Sequence, residues 1–150
     1  MKFTKLISTL TKLALFADRS IMLCRHAAVV IKNGTPIASG INCVRGRESY
    51  HAELDAIRST LLIQNRGFKT KRGVPVNKKI NRSLTGAVLV VIRWNGQRFT
   101  ESKPCYECLS CIKLVGIKRV LFSNSNGDVE SHRTSCLSSL HHSVARRAGL

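Results

Sequence analysis

Residues 49–59, "SYHAELDAIRS", place a histidine and a glutamate two positions apart at the head of an amphipathic run. Read alone, Glu53 is an acid in the first turn of a helix, where the helix dipole favours it by about 0.3–1 kcal/mol. His51 and Glu53 cannot share a regular helical face, because positions i and i+2 point about 200° apart. At a helix N-terminus the backbone is not yet regular, and both side chains can approach one site. Whether they do so depends on what the rest of the chain supplies.

The complement lies at 104–111, "PCYECLSC". Cys105 and Cys108 stand at i and i+3 at the front of a predicted helix, so both thiols project from one face. Pro104 suits a first turn, where its missing N–H costs nothing. The dipole and free N–H groups there lower thiol pKa values and prepare them for a metal. Zinc with two thiolates needs a third protein ligand, and a catalytic zinc keeps its fourth position open for water. His51 can be that ligand, and Glu53 can then handle protons beside the water. Three other readings compete: two buried structural thiols, an iron–sulfur cluster using Cys111 as well, and a disulfide framework. A cluster leaves His51 and Glu53 without a role, so Cys111 is assigned to core packing one turn below the site.

Outward from these motifs, the chain alternates strand and helix. "AAVVIKNGTPIASGINCV" (27–44) reads as two short strands broken at Asn33-Gly34, a hairpin signal. A helix is expected over about 50–64, with Leu54, Ile57, Leu61 and Leu62 on its apolar side. "TGAVLVVIRW" (85–94) is the most hydrophobic strand and central. A loop, "NGQRFTESK", leads to a helix over 104–115, then to the strand "KRVLFSN" and a second turn at Asn126-Gly127. One further strand is open after it. Leu6, Leu10 and Leu13 mark a first helix; the Lys- and Ser-bearing N-terminus resembles a transit peptide less well. The tail after Asp128 is polar and basic, with a weak helical pattern near "CLSSLHHSVARR". His132, His141 and His142 are expected to face solvent there, and His26 to be a structural histidine at a strand's start. The pattern predicts a single α/β domain over 1–150, three-layer α/β/α, with helices on both faces of a mixed sheet of about five strands.

Composition adds a partner. Twenty-five Lys and Arg against eight Asp and Glu give +17, which implies a polyanion or a phosphorylated substrate. Arg66, Lys69, Lys71, Arg72, Lys78, Lys79 and Arg82 form an acid-free stretch at about 66–82, a candidate grip on RNA or single-stranded DNA phosphates. Apolar runs are strand-sized, so no membrane partner is expected. With six cysteines and no signal peptide read ahead of them, an intracellular, reducing compartment is expected: cytoplasm, nucleus or a virion-associated state.

H-x-E followed by P-C-x-x-C is the zinc nucleobase deaminase signature. With "AAVVIKNGTPIASGIN", "HAELDAI", "SKPCYEC" and "VGIKRVLFS" in that order, the chain resembles the cytidine deaminase-like superfamily, in particular the CMP/dCMP-type deaminases and their small relatives in large DNA viruses. "HAE" or "PCxxC" alone would be a weak signal. The resemblance implies zinc on His51, Cys105 and Cys108, with Glu53 as proton shuttle in the conversion of cytosine to uracil. It also implies Asn42 near the substrate sugar, and Ala52, Ser102, Lys103 and Pro104 along the pocket. Three functions remain open: an enzyme on a small nucleotide such as dCMP, a protein that edits or binds RNA or single-stranded DNA, and a basic structural subunit of a virion or ribonucleoprotein. Pairing into a homo-oligomer, or membership of a larger assembly, is open as well.

Overall fold

The computed structural model describes residues 2–64 and 83–142. The basic stretch at 66–82 lies outside the described residues. In chain order the elements are α1 (Phe3–Ala17), β1 (Arg25–Lys32), β2 (Thr35–Ile41), β3 (Cys43–Arg45), β4 (Glu48–Tyr50), α2 (Ala52–Gln64), β5 (Val88–Trp94), β6 (Phe99–Thr100), α3 (Tyr106–Leu114), β7 (Arg119–Ser123) and β8 (Val129–Arg133). A short 3-10 turn follows at Thr134–Cys136.

The main sheet runs β2-β1-β5-β7-β8, with β6 paired to β5. All pairs are antiparallel except β5 with β7. Asn33 (φ 51°) and Gly34 (φ 74°) both take left-handed backbone, as a two-residue hairpin with the strands' own twist requires. Strand alternation divides the core. Ala27, Val29 and Ile31 face α1 through Leu13 and Ala17, with Val90, Ile92 and Leu121 on the same side. Ala28 and Val30, with Leu89, Val91, Val120 and Phe122, face α2 and α3. Because β5 is covered on both faces, it reads as an unbroken apolar run. This is the expected three-layer α/β architecture.

Three segments differ from the sequence reading. The 95–103 loop turns back as β6: Asn95 Oδ1 accepts the N–H groups of Gln97 and Arg98, both at 2.9 Å, which closes the turn. Residues 43–50 form a separate small hairpin, β3 with β4. The further strand left open after Asn126-Gly127 is present as β8, and apart from the 3-10 turn at Thr134–Cys136 no helix is present in the described part of the tail. His132 therefore lies on a strand, its ring stacked on Phe122 with centroids 5.3 Å apart. The helix over 104–115 is shorter, with Cys105 as N-cap and Gly116 (φ 85°) ending it in a left-handed turn.

Gly40, on β2, is where α2 meets the sheet. A Cβ there would stand 2.3 Å from the Ala56 nitrogen and 2.7 Å from the Ala52 carbonyl. Both contacts are backbone, which cannot swing aside, so only glycine allows α2 to lie this close. Gly40→Ala is expected to destabilise the fold by at least about 3 kcal/mol, the upper end for overpacking. A denaturation midpoint equal to wild type would show that α2 does not seat here.

Candidate metal centre and active site

His51 is the residue just before α2, and its carbonyl accepts the Asp55 N–H at 3.0 Å. Asp55, in the helix's first turn and buried, accepts the Ile41 N–H on Oδ2 at 3.1 Å, tying α2 to the end of β2. The sequence reading did not single out Asp55; an acid at N-terminal helix spacing carries no signal for a tertiary bond. Across the site, Cys105 caps α3 and Cys108 sits one turn in. His51 Nδ1 lies 3.2 Å from Cys108 Sγ and 3.5 Å from Cys105 Sγ.

The three donor atoms all fall within 4.8 Å of one another. Tetrahedral zinc with bonds of about 2.0–2.3 Å separates its ligand atoms by roughly 3.5–3.8 Å. One imidazole and two thiolates at these spacings fit zinc and leave a fourth position for water. Among the described residues, this is the one His, Cys, Asp and Glu group arranged to hold a metal.

Electrostatics prepare the same set. Its hydrogen bond with Cys108 holds Cys105 down at about 5, against burial. The reciprocal bond, with burial, pushes Cys108 well up. His51 is raised, first by its hydrogen bond with Cys105. Burial raises the Glu53 carboxyl, opposed by His51 beside it. Glu53 is only 5% exposed. An acid held this dry, next to a metal's open position, can take a proton and give it back. Cys111 belongs to the α2–α3 core, and burial alone pushes its thiol up to about 12.

The other expected residues are distributed unevenly. Ala52 and Pro104 are buried beside the ligands in sequence. Ser102 is buried in a clamp between strands: its Oγ lies 3.0 Å from the Val91 carbonyl and accepts the Ser123 N–H at 2.9 Å. Lys103 is exposed, with its N–H donated to Glu101 at 3.2 Å. Asn42 is buried; its Oδ1 accepts the Ser20 hydroxyl and the His26 N–H, both at 2.8 Å, and its Nδ2 donates to the Cys24 carbonyl. His141 and His142 are exposed, as expected, yet the segment that carries them is tied to α3. The His141 carbonyl accepts the Tyr106 N–H at 2.8 Å, and His142 Nδ1 lies 2.9 Å from Glu107. The tail thus returns to the first turn of the helix that carries both thiols.

Comparison with known proteins agrees with this geometry. Residues 4–124 match the family profile described as the cytidine and deoxycytidylate deaminase zinc-binding region. No curated protein sequence matches the chain. Among solved structures, a dCMP deaminase from the cyanophage S-TIM5 is similar with a TM-score of 0.55 and 20% identity, covering 83% of this chain and 86% of that one. A cytidine deaminase from Burkholderia pseudomallei gives 0.61 at 16% identity, covering 90% and 94%. A Thermotoga maritima diaminohydroxyphosphoribosylaminopyrimidine deaminase/reductase gives 0.57 at 22%, covering 81% of this chain but 30% of that one. At these identities the structural likeness carries the fold.

Proposed function

The chain belongs to the cytidine and deoxycytidylate deaminase zinc-binding family, and from that premise we propose that it hydrolyses the amino group of a cytosine nucleotide, dCMP- or CMP-like, to give the uracil product and ammonia. The observation that carries the reading is a buried glutamate, Glu53, beside three residues, His51, Cys105 and Cys108, whose donor atoms are spaced to hold one metal ion. The cyanophage relative is a dCMP deaminase with a structure in complex with dCMP and dUMP.

His51, Cys105 and Cys108 would hold the zinc, which when bound would supply Lewis acidity and bring the pKa of a water down to about 7. Glu53 takes a proton from the attacking water and delivers it to the ring nitrogen, while the oxygen of that water bonds to the amino-bearing ring carbon. It then carries the second proton, from the new hydroxyl on that carbon, to the amino group as the carbon–nitrogen bond breaks, so one water is consumed and one ammonia released. Ala52 and Pro104 are buried next to the ligands in sequence, and bulk water kept out there would strengthen each of these charge interactions. No helix among the described residues is long and apolar enough to cross a membrane.

The test is a product assay on zinc-loaded protein with dCMP, CMP, cytidine and a cytosine-containing single-stranded oligonucleotide. Turnover of a mononucleotide is expected; no turnover of any of the four would overturn the enzyme reading. The +17 charge favours a second reading, in which nucleic acid is bound and the stretch from Arg66 to Arg82 contacts its phosphates. In that case oligonucleotide affinity falls with salt by about 0.7 decades per decade for each contacted phosphate, whereas a mononucleotide enzyme shows no such slope.

A further inference from the structure

The wall of the site nearest His51 is made by residues to which no role has been given. His26 and Arg93 are direct partners across the β1–β5 pairing. Ala28 and Val30 on β1, and Leu89 and Val91 on β5, face α2 and α3. Two residues further along each strand, His26 and Arg93 fall on that same face, at the sheet end where the chain leaves β2 for Asn42 and α2. Both Arg93 and His51 act electrostatically on His26, whose pKa burial lowers to about 4. A ring held neutral in this way adds no second charge beside the guanidinium.

Arg93 is half-buried, yet among the described residues its side chain has a single, weak polar partner: Nη2 lies 3.0 Å from Cys24 Sγ. None of the ion pairs among the described residues involves it. Arg25, its neighbour on β1, does have a carboxylate, Asp18 at 2.7 Å. A half-buried guanidinium with no anion among the described residues has most of a fork of five donors to offer on the site's face, and that fork matches phosphate oxygens. Asn42 organises the ground around it. Through its amide it fixes both the His26 N–H and the Cys24 carbonyl, and His26 Nδ1 lies 3.4 Å from that same carbonyl. With Nδ1 turned to a carbonyl, Nε2 presents a lone pair, an acceptor suited to a sugar hydroxyl.

We propose that Arg93 is the phosphate-recognition residue of this site, with His26 beside it facing the sugar and Asn42 as the positioning residue that orients both the ring and the Cys24 backbone. The proposal deepens the deaminase reading and rests on it only for the identity of the base. The phosphate is either the monoester of a nucleotide or the diester 5′ to a cytosine in a strand, and the guanidinium recognises the chemistry the two share.

Equilibrium binding of product-type ligands to zinc-loaded protein tests it without relying on turnover. Wild type is expected to bind dUMP about 10- to 100-fold more tightly than deoxyuridine, the range for a charge-assisted pair. Arg93→Met should bring the two within about threefold while zinc content and melting temperature hold; Arg93→Gln is the substitute if the methionine variant does not fold. A TpdUpT trinucleotide separates the sources: tighter binding than dUMP, lost in the same variant, assigns the diester, and the reverse order assigns the monoester. A wild-type protein indifferent to the phosphate, or variants that keep the wild-type ratio, would overturn the proposal. Loss of deamination with the dUMP preference intact would instead count against the enzyme reading alone.

Discussion

Glu53→Gln is expected to retain its zinc and to turn over dCMP about 10²- to 10⁴-fold more slowly, the range for losing a general acid–base group. Glutamine keeps the size of the side chain and its place in the first turn of α2, so the pocket is preserved. It cannot accept a proton at the position where water must give one up. Bulk water cannot stand in, because the side chain is 5% exposed. The same variant carries a stability signature of known sign. Burial raises the Glu53 carboxyl above its usual value of 4.5, so the metal-free fold prefers the protonated acid. That preference stabilises fully below 4.5 and is lost as pH rises through the raised folded value. At neutral pH the metal-free glutamine variant should therefore unfold no more easily than wild type, and its margin should shrink on acidification. A variant with the wild-type rate would take Glu53 out of the chemistry.

Much of the architecture was legible because its causes are local. Asn33-Gly34 names its own turn, the 85–94 run announces a strand covered on both faces, and cysteines three apart after a proline imply a shared face at a helix start. What escaped depends on partners distant in sequence. Nothing in "NGQRF" shows that Asn95 will close a turn and return the chain to β5. The tail's path is set by the His141 carbonyl meeting the Tyr106 N–H, a backbone bond that leaves no trace in side-chain pattern. His26 and Arg93 stand 67 positions apart and become neighbours only through strand register. Gly40 was visible as a glycine inside a strand, but its reason, α2 backbone 2.3 Å from where a Cβ would sit, is a property of the packed layers. The ligands were easier to find than the wall around them because metal geometry restricts residue type, whereas a recognition surface accepts many.

The metal itself is expected to be present at about one zinc per chain and to be lost in His51→Ala and in Cys105→Ser. The three ligands come from two elements, the lead into α2 and the first turn of α3, both packed on one sheet face. Removing either residue leaves two donors, too few for a catalytic zinc. Cys111→Ser should keep the metal, because that thiol is in the core and burial holds it protonated, up at about 12. Its cost should appear as stability. Protons must leave for zinc to bind, which fixes the pH dependence. Cys105, at about 5, is already a thiolate at neutral pH, whereas His51 is raised above 6.5 and Cys108 well above 9.0. Binding therefore expels protons from His51 and Cys108, and apparent affinity should climb with pH from about 6.5 through 9, by up to about 100-fold per unit where both are released. Titration of metal-free protein with zinc at several pH values reads this slope. Full occupancy in both ligand variants, or an affinity flat across that window, would mean that these three residues do not form the metal site.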